Sequence, residues 1–368
     1  MAALAAVGAL ALVSCTDDGN PTSTPSPSAA SPSTSTPSSS TPSDPPTEPA
    51  TPTPTPGGRN AIRLDPAAPL GKEPSVPWLV DRTLHRDGST LDLPRDYQQL
   101  ATLGDRVFAV RYDDQGRLTL DQIDASGSVA ASNATYGMAV NADRTNLVWT
   151  SGRGHIHTVW ATGDADMSRQ PARVRPVTIT GPGAADGSCM ETEHVRGCVV
   201  FFNNDNGVGP QYTSSHGITD IVGPSSLQVA DAGGGLVAVQ TGVSDDGSCW
   251  EVLRGWKRSW RTCSNTLLDF SPDASLLLAS DAYLDGIGPR SLTVLDADDG
   301  TTVVKFRTGR GFISSWVWED DSHLLVTTYD AGQWNLLRAG IDGSVESTIE
   351  PDSSRDQLSR PFVVAGAR

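Results

Sequence analysis

Residues 271–281 read SPDASLLLASD, and residues 291–309 read SLTVLDADDGTTVVKFRTG. The first stretch opens with a Ser, Pro and Asp turn and runs into Leu276, Leu277, Leu278 and Ala279 without polar alternation. A short apolar run bounded by turn residues fits a strand buried on both faces. The second stretch is two strand-length segments meeting at Asp298-Asp299-Gly300, which suits a tight hairpin. Together they spell three consecutive antiparallel strands with the apolar one innermost of the three.

The same grammar recurs along the chain. It appears as LGDRVFAVRYD at 103–113, NADRTNLVWTS at 141–151, HVRGCVVFFNND at 194–205, DAGGGLVAVQTG at 231–242 and EDDSHLLVTTYD at 319–330, with a weaker copy, SRPFVVAGAR, at 359–368. The apolar runs are spaced by about 40 to 50 residues, the period of a four-stranded propeller blade. Each run is expected to be the second strand of a blade. Third and fourth strands are expected in HIHTVWATGD with ARVRPVTITG, SCWEVLRG with KRSWRTCSN, and SLTVLDADDG with TTVVKFRTG. The C-terminal FVVAG stops short of a full blade, and residues 76–94 read as two strands turning at Asp87-Gly88. These N-terminal strands are expected to complete the last blade and close the ring, removing two open sheet edges. The fold expected is therefore all-β, a β-propeller of seven four-stranded blades over residues 59–368.

The repeat at 271–281, with LTVLDADDGTTVVKF behind it, resembles WD40-like and TolB-type propellers. The Trp-Asp dipeptide and Gly-His signature of true WD40 blades are absent. At the other end, residues 2–12 are almost wholly Ala, Leu, Val and Gly, too short to span a bilayer comfortably, which reads as the apolar part of an export signal. Residues 16–58 are mostly Pro, Ser and Thr, unable to bury enough apolar surface to offset ordering, and are expected to form a disordered tether. The lipobox-like LVSC followed by this tether resembles actinobacterial propeller lipoproteins. That resemblance implies a signal peptide over 1–15, diacylglycerol and palmitate-type acylation at Cys15, and attachment to the outer side of the cell membrane. Each buried methylene contributes ~0.8 kcal/mol, so two or three chains hold a soluble domain on a bilayer.

Beyond residue 58 the chain carries 39 acidic and 27 basic side chains, a net of −12. That sign repels phosphate backbones, so nucleic acid is not an expected partner. With Cys15 set aside, Cys189, Cys198, Cys249 and Cys263 remain. An even number in an exported protein argues for two disulfides. Three connectivities are possible, and Cys189 with Cys198 and Cys249 with Cys263 are favoured because each pair spans a short strand-turn-strand distance.

No local motif announces catalysis. There is no GxSxG elbow, and Ser214-Ser215-His216 lacks the context of a nucleophile. His155 and His157 share a strand face, but no third ligand at diagnostic spacing accompanies them, and no metal or cofactor is expected. The turns at Asp113-Asp114, 203–207 and 296–300 lack the position-twelve glutamate of a calcium loop, where Ser214 and Arg307 stand, so turn chemistry explains them. One local concentration of aromatic and basic residues stands out, WEVLRGWKRSWRT between Cys249 and Cys263. Trp250, Arg254, Trp256, Arg258, Trp260 and Arg261 form a candidate surface for a glycan or an anionic envelope partner. The alternative is that the tryptophans pack within outer strands. The expectation from sequence is thus a monomeric, lipid-anchored binding or scaffold module working with an envelope protein or glycan. The rival is a propeller enzyme of hydrolase, lactonase or lyase type, with its site at the channel mouth.

Overall fold

The computed structural model describes residues 61–367 except 170–173, 182–183, 185–188, 190–196, 205–208, 215–216, 221–224 and 284–285. Cys15, the export signal, residues 16–58, Ser215 and His216 lie outside the described residues. No helix occurs among those described.

In chain order the strands are β1 (Ile62–Arg63), β2 (Trp78–Val80), β3 (Thr83–Arg86), β4 (Ser89–Asp92), β5 (Gln99–Leu103), β6 (Arg106–Tyr112), β7 (Leu118–Ile123), β8 (Val129–Val140), β9 (Asn146–Ser151), β10 (His155–Trp160), β11 (Gly163–Arg169), β12 (Val174–Thr180), β13 (Val199–Asn204), β14 (Gln211–Ser214) and β15 (Gly217–Asp220). There follow β16 (Gln228–Gly233), β17 (Leu236–Ser244), β18 (Gly247–Arg254), β19 (Lys257–Thr262), β20 (Asn265–Phe270), β21 (Leu276–Asp281), β22 (Ser291–Asp296), β23 (Thr302–Arg307), β24 (Phe312–Trp318), β25 (His323–Asp330), β26 (Gln333–Gly340), β27 (Val345–Ser347) and β28 (Phe362–Val364).

These strands build a β-propeller. β12–β15, β16–β19 and β24–β27 are four-stranded antiparallel blades in chain order, and β20–β23 is another, with β1 added in parallel at its outer edge. β28 pairs with β2 to give the order β28-β2-β3-β4, so the two ends of the propeller share one sheet, as the sequence reading required. The expected count of seven separate blades is corrected. Five blades stand as sheets of their own, whereas β5–β11 run as one seven-stranded sheet. The cause is β8, whose first half pairs with β7 and whose second half pairs with β9 without a break in the strand.

All six full copies of the repeat are second strands: β6, β9, β13, β17, β21 and β25. Their apolar runs are buried because neighbouring strands cover both sides, as in β9 and β21. Three strand readings change. ARVRPVTITG is β12, the first strand of a following blade, because the fourth-strand place beside β10 is taken by β11. The weak copy FVV is the innermost strand β28 rather than a second strand. Residues 76–94 hold three strands, since a turn at Asp81 (φ 54°) separates β2 from β3 before Asp87-Gly88 joins β3 to β4.

The core is a series of apolar layers between consecutive sets of strands. One layer joins Leu278, Val294 and Phe306 to Val326 and Leu337, and another joins Ala238 and Val252 to Leu277 and Leu295. The segment before β2 straps the rim: Leu64 is fully buried against the first of these layers, Gly71 N donates to Ser347 O at 2.7 Å, and Ser75 N donates to Glu319 Oε1 at 2.6 Å. Arg338 holds the strap from β26. Its guanidinium donates to Lys72 O at 3.1 Å, Glu73 O at 3.0 Å and Glu319 Oε1 at 2.9 Å, and it pairs with Glu346.

Candidate functional site

Strands one and three of an antiparallel blade run the same way, so the turns after them lie on one face and the remaining connections on the other. On the first face, the ends of β8, β12, β16, β20, β24 and β28 converge on a cavity of about 70 Å³. Asn141, Arg144, Thr178, Asp231, Asp269 and Trp318 contribute to its wall, with Val140, Val317 and Gly366 closing around it. Such a space holds a few water molecules and falls well short of the several hundred Å³ of a typical small-molecule pocket.

The ionisable groups at this mouth are committed to neighbouring strands. Asp231 Oδ2 accepts from Phe270 N at 2.8 Å, joining β16 to β20. Asp269 Oδ2 accepts from Trp316 Nε1 at 2.6 Å, and Asp269 O accepts from Trp318 Nε1 at 3.2 Å, joining β20 to β24. Arg144, held at φ 55° in the turn after β8, donates across the mouth to Trp318 O. Burial lowers its pKa, opposed by the Glu319 and Asp143 charges. Sequence reading found none of these residues. The aspartates sit in strands with ordinary composition, and only the ring closure brings them to one mouth.

The turns on this face are acidic. Their described residues include Asp87, Asp105, Asp124, Asp143 and Asp273, then Asp298, Asp299, Glu319, Asp320, Asp321 and Asp342: eleven carboxylates against the single cation Arg144. Many close their own turn. Asp124, Asp273, Asp320 and Asp342 each accept from the amide and hydroxyl of the serine two residues on. At Asp124 and Asp342 the serine hydroxyl bond is the main cause of a lowered carboxyl pKa; at Asp273 and Asp320 partial burial opposes the lowering and these bonds outweigh it.

The opposite face differs. Its described connections carry nine carboxylates and eight arginines, the latter including Arg117, Arg153, Arg290 and Arg310. Among the described residues, six of the seven large apolar side chains that are exposed lie there: Tyr112, Leu227, Val243, Tyr283, Ile287 and Leu358.

The tryptophan and arginine set in β18 and β19 is dispersed by the fold. Trp250 is buried in the layer against β20 and β21, donating to Ser248 Oγ at 2.8 Å. Trp256 stacks on Tyr212 of the preceding blade with ring centres 5.0 Å apart, and Trp260 donates to Ala297 O of the following blade at 2.9 Å. Trp250 and Trp260 therefore pack toward the following blade and Trp256 toward the preceding one. Arg254 pairs with Asp298, and Arg258 and Arg261 approach Glu251 Oε1 at 3.3 and 3.9 Å. Lys257 is exposed beside them at the start of β19.

His155 and His157 both turn Nδ1 toward the Asp166 carboxylate, at 3.4 and 2.9 Å, and His157 stacks on Trp149. Burial lowers the His157 pKa, with Asp166 opposing. No group of three side chains suited to holding a metal occurs among the described residues. Asp113 accepts from Gln115 N and Arg117 N at 2.9 Å, and Asp296 Oδ1 from Asp298 N at 2.8 Å, the turn chemistry read from sequence; residues 205–207 lie outside the described residues. Both disulfides are present, Cys189 with Cys198 and Cys249 with Cys263. The first closes the connection from β12 to β13; the second staples β18 to the end of β19, where Trp250 faces Thr262.

No protein-family model and no curated protein sequence matches the chain. Solved structures do match. The β-propeller domain of Myceliophteria thermophila Cps50 (Swd1) is 11% identical, with 71% of this chain and 87% of that chain covered and a TM-score of 0.44. The computationally designed Ika8 protein is 11% identical over 81% and 91%, with a TM-score of 0.48. Kluyveromyces lactis Hsv2p is 13% identical over 80% and 100%, with a TM-score of 0.40.

Proposed function

We propose that this chain is a lipid-anchored, extracytoplasmic binding module of the cell envelope. In this reading residues 1–15 are the lipoprotein signal, Cys15 carries the acyl chains, residues 16–58 give reach, and residues 59–368 form the propeller that meets a protein or glycan partner. The seven-stranded sheet fills two positions of a seven-position ring. In support, seven apolar layers separate consecutive strand sets around the whole circuit, two of them flanking β9.

The observation that carries binding over catalysis is the channel mouth. Asp231, Asp269 and Arg144 come from separate strand sets, yet each is spent on a bond to another inner strand around a cavity too small for a sugar or peptide. A general acid or base has to be free to exchange a proton with substrate. The acidic face is the broad surface left for recognition, and it suits a cationic partner.

Two measurements test this reading. Metabolic labelling with an alkyne fatty acid should mark the wild-type chain and not Cys15→Ser; equal labelling of both defeats the anchor. Photo-crosslinkers at Asp298 and Asp321 in intact cells should trap the same envelope component, and that yield should fall when Asp320 and Asp342 are changed to Asn. Turnover of a glycoside, lactone or peptide that Asp269→Asn abolishes would transfer the assignment to the enzyme class.

A further inference from the structure

A second cavity opens between the rim strap and the blade β28-β2-β3-β4, and at about 250 Å³ it is larger than the one at the channel mouth. Its walls follow from the strands. Trp78 stands opposite His85 across β2 and β3, and His85 opposite Thr90 across β3 and β4, so these three side chains leave one side of the sheet in a row. Trp78 is only 6% exposed and backs the His85 ring, whose centre lies 3.9 Å away with the planes 9° apart. The Asp87-Gly88 turn, with φ of 51° and 73°, closes the end of the row on the acidic face. The other wall is the strap, where Arg338 holds the Glu73 carbonyl and Glu319 holds the Ser75 amide. Walls fixed in this way lose little further freedom when a ligand enters.

The polar groups of this cavity are unspent, in contrast to those of the channel mouth. The Glu73 carboxylate, the His85 ring nitrogens, the Asp87 carboxylate and the Thr90 hydroxyl make no hydrogen bond or ion pair among the described residues. Arg86, the guanidinium at the wall, is turned away to Gly104 O at 2.8 Å and to Asp105 at 3.9 Å. The cavity thus presents two unpaired carboxylates, a hydroxyl and a stacked ring, with no lysine and no free guanidinium among its lining residues.

We infer that this cavity receives the side-chain ammonium of a lysine presented by a protein partner. Two unpaired carboxylates in a partly enclosed space attract a cation. A guanidinium is best matched by a single carboxylate fork lying in its plane, whereas acceptors spread over two walls suit the three diverging donors of an ammonium. The methylene stem of lysine covers apolar surface, here the His85 ring and Pro74. The inference deepens, and rests on, the reading of the acidic face as the surface that meets a cationic partner.

The test is an NMR titration of the isotope-labelled full chain carrying Cys15→Ser with Nα-acetyl-lysine amide. Saturable shifts centred on residues 73–90 are expected, with a Kd on the order of 1 to 10 mM for a single side chain. Nα-acetyl-norleucine amide, which has the stem without the ammonium, should produce none. Glu73→Gln/Asp87→Asn should raise the Kd about tenfold or more, and Asn tolerates the left-handed backbone at 87. Asp245→Asn, which removes a charge from the opposite face, should leave the Kd within about twofold. Unchanged unfolding midpoints establish that each variant is folded. Absence of saturation by about 100 mM overturns the inference. So does equal binding of the norleucine analogue, indifference to Glu73→Gln/Asp87→Asn, or tighter binding of Nα-acetyl-arginine amide or of glucosamine. The same double variant separates this inference from the reading beneath it. Undiminished crosslinking from Asp298 and Asp321 in intact cells would remove the cavity from partner binding and leave the envelope-binding reading standing. A wild-type chain that binds the lysine probe but traps nothing in cells would keep the lysine site and remove that reading.

Discussion

On one face of the propeller, the turns at 124–128, 271–275, 320–322 and 342–344 are closed by an aspartate that accepts a serine amide and hydroxyl; on the other, connections range from the two residues 245–246 to the long segment 348–361. Apart from the long connection 181–198, the described turns of the first face are short and acidic and carry no large exposed apolar residue, while those of the second are irregular, mixed in charge and hold most of the exposed apolar surface among the described residues. Regular turns serve closure of each blade, which every blade needs. Connections freed from that task can vary, and variation there places exposed apolar residues at no cost to the core.

The largest effect expected on the regular face comes from Arg338. Its guanidinium meets Glu319, whose side chain is 3% exposed, and two carbonyls of the rim strap. Arg338→Met leaves the Glu319 carboxylate buried without its cation, which should cost about 3 to 5 kcal/mol in urea-induced unfolding. Arg338→Lys, with the charge but not the fork, should recover only part of that loss. A cost under about 1 kcal/mol would mean the strap is not anchored there.

The second face has its own staple. Removing Cys249–Cys263 as the double serine variant should lower stability by about 3 kcal/mol, the scale for a loop of this length. Because Cys249 sits near the tip of the β17–β18 hairpin, opposite Gly242 and three residues past the Asp245-Asp246 turn, amide exchange there should accelerate more than in β21 or β25. Equal acceleration in all three would show that the bond acts through the unfolded chain alone.

Turn closure makes carboxylates on both faces acid-sensitive, since Asp113, Asp352 and Asp356 of the second face are lowered by the same kind of bond. Asp273 accepts from Ser275 N at 3.0 Å and Ser271 Oγ at 2.7 Å, so Asp273→Ala should cost about 1 kcal/mol. The folded-state pKa of Asp124, Asp273, Asp320 and Asp342 lies below the ordinary value of 3.8. Protons therefore bind the unfolded chain first. The stability these groups contribute is fully present above the unfolded value and is lost as pH falls through the folded one. Thermal midpoints measured from pH 7 downward should stay level and then drop below about pH 4, more gently in a variant with Asp124, Asp320 and Asp342 changed to Asn.

These turns also explain what could be read beforehand. Each SPDAS- or EDDSH-type turn is a local hydrogen-bonding solution written in adjacent residues, and the apolar run after it is buried on both sides, so second strands and ring closure were legible. β8 was not, because whether a strand pairs on both sides depends on the sheets that receive it. ARVRPVTITG was misplaced for the same reason, since nothing in that segment distinguishes a fourth strand from a first. The tryptophans of β18 and β19 looked like one surface in sequence, yet a two-residue turn with positive φ at Gly255 and Trp256 sends neighbouring side chains to opposite blades. Asp231, Asp269 and Arg144 meet only through the closed ring.

The smallest effect expected is the sharpest test of the contrast between the faces. Val243 and Ile287 are more than half exposed and have lost little water on folding, so little transfer free energy is at stake when they change. Val243→Thr and Ile287→Thr, singly or together, should move stability by no more than about 0.5 kcal/mol. The comparison change, Leu278→Ala in the neighbouring second strand, removes a fully buried side chain and should cost about 2 to 5 kcal/mol. If the exposed pair instead cost more than about 1 kcal/mol at concentrations where the chain is monomeric, those residues would be packing the fold itself. A near-neutral result shows that this apolar surface takes no part in holding the fold together.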